Sequence, residues 1–149
     1  MKRISTILMV VVAVGFVTTS CKKTPKSLTE IIGRAWVPQT VKEASSVVYT
    51  KGGANNAQPG YSGWRLDLSS PSSATIKERD GNSFSGQWEV REGATNTLVL
   101  KNLTPQPTGT NGTIEFTINS SSETQFDITR TTSSQKTGGT INNYSLVTP

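Results

Sequence analysis

From Arg34 to the C-terminus, apolar side chains recur at every second position. Trp64, Leu66 and Leu68 alternate with Gly63, Arg65 and Asp67, and Ala74 and Ile76 with Thr75, Lys77 and Arg79. Phe84, Gly86, Trp88 and Val90 share one parity, and Ser85, Gln87 and Glu89 share the other. The pattern continues through Leu98 and Leu100, then Ile114, Phe116 and Ile118, then Phe126 and Ile128, and ends over residues 140–147. A period of two is the signature of a strand with one buried and one wet face. Two earlier strands are read over residues 36–41 and around Val47, Val48 and Tyr49. Pro38, in the first of these, cannot donate to a ladder and marks an edge or a bulge.

Asp80-Gly81-Asn82 supplies a tight turn, while residues 51–60, 103–112 and 133–139 read as loops from their Gly, Pro, Asn and Ser content. Eight or nine short strands with mostly short links predict an all-β, antiparallel, up-and-down meander. Curling into a barrel, or splitting into a sandwich, would remove its exposed edges. Ahead of the strands, Ser27 and Glu30 stand at capping-box spacing, and Leu28, Ile31 and Ile32 form a small apolar face. Residues 28–32 therefore read as one helical turn stopped by Gly33, with an irregular lead-in as the alternative.

The opening residues follow a different rule. Lys2 and Arg3 precede an apolar run over residues 7–17, and Thr18, Thr19 and Ser20 then lead to Cys21. Charge, grease and small residues in that order are the layout of a secretory signal peptide. A cysteine directly after them points to a lipoprotein signal over residues 1–20. Cutting before Cys21 lets its thiol and new amine carry acyl chains such as palmitate. Thr18 stands where an aliphatic residue is usual. A retained anchor and ordinary secretion are the rivals, but the apolar run is well short of the roughly 20 residues a spanning helix needs. Two or more acyl chains hold a protein stably on a bilayer, whereas one binds only marginally. Residues 21–27 then form a lipidated tether and residues 28–149 the folded domain. The expected address is a bacterial cell envelope, on the periplasmic face or the cell surface.

The net charge of +5 invites a nucleic-acid role, but its distribution does not support one. Five of the fifteen basic residues are Lys2, Arg3, Lys22, Lys23 and Lys26, in the leader and tether. The remaining ten are balanced by ten acidic residues, so the domain is formally neutral. The basic excess belongs beside anionic headgroups, where each Lys is worth about 1 kcal/mol. Cys21 has no second cysteine to pair with, so the fold rests on burial and sheet hydrogen bonds. Histidine is absent, which removes the usual general base and the commonest metal ligand. No catalytic, metal or cofactor site is read from the chain. The sequons at Asn102, Asn111, Asn119 and Asn143 are expected to stay unmodified in a bacterial lipoprotein.

Ile31-Ile32-Gly33-Arg34-Ala35-Trp36 resembles the Gly-x-(x)-Trp opening of lipocalin-like domains. Gly81-Asn82-Ser83-Phe84-Ser85-Gly86-Gln87-Trp88 is similar to a hairpin of small bacterial lipocalin-like lipoproteins. The resemblance covers most of residues 28–147 and implies a calycin-type barrel of about eight strands. It also implies that Trp36 packs across the closed end, and that Arg130 is the nearest candidate for the arginine covering that tryptophan. Many members of the family have no established activity.

Trp64, Leu66, Phe84, Trp88, Phe116 and Phe126 then line a ligand cavity or simply fill the core, since small barrels do either. Tyr61, beside the 51–60 loop, is a candidate for an open-end lip, with Trp64 next to it. Asp67, Glu89, Glu115 and Asp127 fall on the wet parity, where no carboxyl pKa is raised for acid/base work. The expectation is a monomeric, non-enzymatic, lipid-anchored barrel that binds a small hydrophobic ligand. The alternative is a structural or inhibitory module whose loops, 51–60 and 103–112 above all, contact an envelope protein or a glycan.

Overall fold

The computed structural model describes residues 24–149. The leader, Cys21 and the start of the tether lie outside the described residues. One helical turn, α1 (Leu28–Ile32), precedes nine strands: β1 (Ala35–Glu43), β2 (Ser46–Thr50), β3 (Arg65–Asp67), β4 (Ser73–Lys77), β5 (Ser83–Arg91), β6 (Thr97–Thr104), β7 (Ile114–Ser121), β8 (Gln125–Arg130) and β9 (Asn142–Val147). The capping box forms: the Ser27 N–H donates to Glu30 Oε2 at 2.7 Å, and the Glu30 N–H donates to Ser27 Oγ at 3.3 Å.

Every pairing is antiparallel, and β9 returns to β1, so the sheet closes on itself. Nine strands occupy eight positions around the ring. Along one edge β1 pairs with β9 from residue 37 to 43. Along the other, β3 takes Ala35 and Trp36 and β2 takes residues 40–43. Thus β2 and β3 run in the same direction as two pieces of one stave, interrupted by an excursion that ends in the 3-10 turn Pro59–Gly63. The excursion covers the edge it leaves behind. The Asn56 side chain accepts from the Thr50 N–H and donates to the Thr50 carbonyl, and the Gln58 N–H donates to the Val48 carbonyl. A side-chain amide thereby stands in for a neighbouring strand.

Pro38 sits at a bulge, where pairing with β9 slips between Pro38 and Thr40. Other boundaries differ from the sequence reading. Strand β6 runs to Thr104, into the 103–112 stretch read as loop, because Leu103 is also on the inner face and buried. Strand β9 begins at Asn142, and Thr140 instead pairs with Ser134 inside the preceding loop.

The registers define two ends. At the base lie α1, which packs against β5 and β7, and the turns at 68–72, 92–96 and 122–124. At the mouth lie the turns at 44–45, 78–82, 105–113 and 131–141. Between them the inner side chains form one continuous core, with Val41, Leu66, Leu98, Leu100, Ile114 and Ile128 all fully buried. Each such side chain is worth about 1.5–3 kcal/mol on burial, which is how a barrel without a disulfide holds together.

Candidate functional site

The base is built around Trp36. Its indole is fully buried, packs against Phe126 with ring centroids 5.2 Å apart, and donates from Nε1 to the Ile32 carbonyl at 2.9 Å. The arginine over this ring is Arg34, whose guanidinium carbon is 5.8 Å from the centroid and whose Nη1 donates to the Glu123 carbonyl. Arg130 is not that residue. It ends β8 at the mouth, where it pairs with Glu78. The reason is direction: β8 runs away from the base, so Phe126 is beside Trp36 and Arg130 is at the far end of the same strand.

The candidate cavity residues fall in separate groups. Phe126 belongs to the base. Trp88 lies in the wall, buried, with its indole N–H donating to the Ser70 carbonyl at 2.7 Å. Leu66 sits in the middle of the core. Nearer the mouth, Trp64 stacks on Tyr144 at 4.9 Å and 22°, and Phe116 meets the same tyrosine edge-on at 6.1 Å. Phe84 lies below Lys136, whose ammonium is 4.9 Å from the ring centroid. These side chains fill the barrel. The space that Trp64 and Tyr144 border together with Tyr61 and Arg130 is about 10 Å³, far below the roughly 300–1,000 Å³ of a small-molecule site.

Tyr61 does not form a lip. It is 1% exposed, because the 3-10 turn drops into the gap between β2 and β3 and carries its ring inward. Its hydroxyl donates to Glu43 Oε1 at 2.9 Å, and its ring lies near Tyr49 and Tyr144. Burial first, then the neighbouring Tyr144 and Glu43, push its phenol far above the ordinary tyrosine range. Tyr144 is raised too, chiefly by burial. Both stay protonated at any physiological pH.

Above these aromatics the mouth is closed by charge. Arg130 Nη1 is 3.4 Å from Glu78 Oε1, with both side chains almost fully buried. Lys136, from the 131–141 loop, reaches Glu78 Oε2 at 3.0 Å and Asp80 Oδ2 at 2.8 Å. Arg79 lies 3.7 Å from Glu43 and over the Tyr61 ring, and donates to the side chain of Gln58 and the carbonyl of Lys136. One arginine thus ties the excursion, the end of β1 and the mouth loop together. Burial opposes both charges of the Lys136–Asp80 pair, but the pairing outweighs it. Lys136 is raised by Asp80 and Glu78, and Asp80 is lowered by Lys136 and Asn82.

The carboxylates on the wet parity stay on the outer wall. Glu89 pairs with Lys101 and Arg91, and Glu115 with Arg91. Asp67 accepts from the hydroxyl and N–H of Ser69, which lower its pKa. Asp127 is lowered as well: burial works against its charge, but Ser120, Ser145 and Gln125 together outweigh it. Asp127 also borders an open groove of about 400 Å³ on the outside of β1, β7, β8 and β9. Thr40, Lys42, Asn119, Asn143 and Ser145 supply most of its other polar lining, with Ile128 and Tyr144 also bordering it. Among the described residues no cluster of three or more acidic side chains is arranged to hold a metal ion.

The polar mouth is not announced by charge in the sequence, but parity contains it. Glu43 follows Val41, Glu78 follows Ile76, Arg130 follows Ile128 and Asn142 precedes Tyr144, each by two residues. All four continue an inward row at the mouth end of its strand.

No family model and no curated protein matches the chain. Among solved structures, a lipocalin-like protein from Bacteroides uniformis aligns over 78% of this chain and 97% of its own, with 13% identity and a TM-score of 0.45. So distant a likeness carries no argument, and the fold rests on its own strand order. A closed antiparallel meander of eight positions, with a helical turn across the base, is decisive. The architecture is lipocalin-like.

Proposed function

We propose that this protein is a lipid-anchored, non-enzymatic binding module of the bacterial envelope that meets its partner with the outside of its barrel. The observation that carries this reading is the filled interior. An enclosed apolar ligand has no room beside Trp64, Phe116 and Tyr144. The surfaces that remain are the mouth loops and the polar outer groove, which suit an envelope protein or a glycan. The lowered pKa values of Asp67, Glu89 and Asp127 support the non-enzymatic part, since a carboxyl acting as general acid needs the opposite shift.

The anchor rests on Cys21 and the leader ahead of it. With acyl chains there, α1 and the base stand nearest the bilayer, because only residues 22–27 separate them from the attachment point. The mouth loops then point away from the membrane. Cys21→Ser tests the anchor: the protein should move from the membrane fraction to the soluble one, and continued retention would overturn this part. That soluble form tests the other part. It should leave an apolar fluorescent probe unbound at micromolar concentration, with no quenching of tryptophan emission. Saturable uptake would restore the enclosed-ligand reading.

A further inference from the structure

We propose that the closed mouth holds a single internal water molecule, bonded to Nε of Arg130. That nitrogen is buried and has no acceptor among the protein atoms. Arg130 is 4% exposed, and its Nη1 contact to Glu78 is already long at 3.4 Å. An unmet donor on a charged, buried group is costly, so a partner is expected in the space it borders. That space measures about 10 Å³ and is lined by Tyr61, Trp64, Arg130, Ser134, Asn142 and Tyr144.

Size and charge select the occupant. A space with about 10 Å³ of room for probe centres admits a water and is far too small for an organic ligand. An anion would also accept from Arg130, but the cluster is already balanced. Arg79, Arg130 and Lys136 face Glu43, Glu78 and Asp80 across the ion pairs. A further negative charge would go uncompensated in a site this buried. A neutral acceptor fits, and water needs two to four polar partners. Tyr61 offers one: its O–H is committed to Glu43, and its oxygen, which also meets the Tyr144 hydroxyl, has two lone pairs with which to accept. Ser134, Asn142 and Tyr144 supply further hydroxyl and amide groups on the same wall. The water would join β8 to the 131–141 loop and make the mouth a structural cap rather than an entrance.

A high-resolution crystal structure of the protein, with a second crystal soaked in bromide, tests this. The expected result is one peak about 3 Å from Arg130 Nε in both crystals, without anomalous bromide signal. A bromide signal at that position would make it an anion site and overturn the proposal. No peak, or Nε donating to a protein group, would overturn it equally. In solution, the Arg130 Hε proton should show a cross-peak to water with the sign of a bound species, and absence of that cross-peak counts against the proposal.

Discussion

The indole N–H of Trp36 donates to the carbonyl oxygen of Ile32 across the base of the barrel, at 2.9 Å. The end of α1 is thereby fastened to the first residues of β1. The Ile32 carbonyl also accepts from the Arg34 N–H at 2.7 Å, so losing the indole does not leave it unpartnered. Trp36→Phe should therefore cost only about 1–2 kcal/mol, the hydrogen bond and some volume. Trp36→Ala should cost about 3–5 kcal/mol, because the cavity it opens borders Phe126. Urea unfolding of the two variants measures both; equal losses would show that the hydrogen bond, not the packing, dominates.

Glu78 and Arg130 should respond unequally to removal. Without Arg130, Glu78 keeps Lys136 at 3.0 Å. Without the charge of Glu78, Arg130 keeps no carboxylate in its ion pair and is left in a buried site. Breaking a buried pair from one side costs about 3–5 kcal/mol, and Glu78→Gln should fall in that range. Arg130→Met should cost less, and the double variant should be more stable than the sum of the two losses predicts. The opposite order in chemical denaturation would mean that Lys136 does not sustain Glu78.

The ion pairs of Lys136 make the mouth loop sensitive to pH only at the extremes. Asp80 is lowered in the folded state, so its contribution is present above its unfolded value near 4 and is lost as pH falls through the folded value. Lys136 is raised, so its contribution is complete below its unfolded value near 10.4 and is lost as pH rises through the folded one. The loop should be held equally well from about pH 5 to pH 9. Local opening free energies from amide exchange in residues 133–139, corrected for the intrinsic pH dependence of exchange, should be flat across that window and fall below it. Asp80→Asn should remove the acid limb of that profile, and an unchanged profile would sink the assignment.

Much of the architecture was readable because period two reports which face of a strand is wet. Ala74 and Ile76, or Phe126 and Ile128, needed no tertiary information. What period two does not report is depth along the barrel or partners far away in sequence. Arg34 covers Trp36 because a backbone carbonyl at Glu123 holds it there, and no local pattern announces that. Tyr61 looked like loop surface because residues 51–60 are polar, whereas the gap in the stave draws its ring inside. The excursion is continuous with the wall rather than hung from the rim. The row of inward polar residues at the mouth was within reach, since Glu78 and Arg130 keep the parity of Ile76 and Ile128. Charge argued for the outside there and parity for the inside. The ion pair between Glu78 and Arg130, 52 residues apart, decides it.

The seal between the 3-10 turn of the excursion and the turn joining β4 to β5 depends on one missing methyl group. A Cβ on Gly60 would lie 2.5 Å from the Arg79 carbonyl oxygen, a backbone atom that cannot swing away. Gly60→Ala must therefore push the 3-10 turn outward, at about 1–3 kcal/mol. Tyr61 would move with it and loosen the hydroxyl bond to Glu43. Gly63, three residues on, has open space where a Cβ would be and no positive φ. Gly63→Ala should be neutral or stabilising by about 0.4–1 kcal/mol, through the unfolded chain. Thermal unfolding and acrylamide quenching of tryptophan emission distinguish the two. Gly60→Ala should lower Tm and make Trp64 more accessible, while Gly63→Ala should do neither. Similar behaviour in both variants would mean that the excursion lies loosely on the barrel and does not complete its wall.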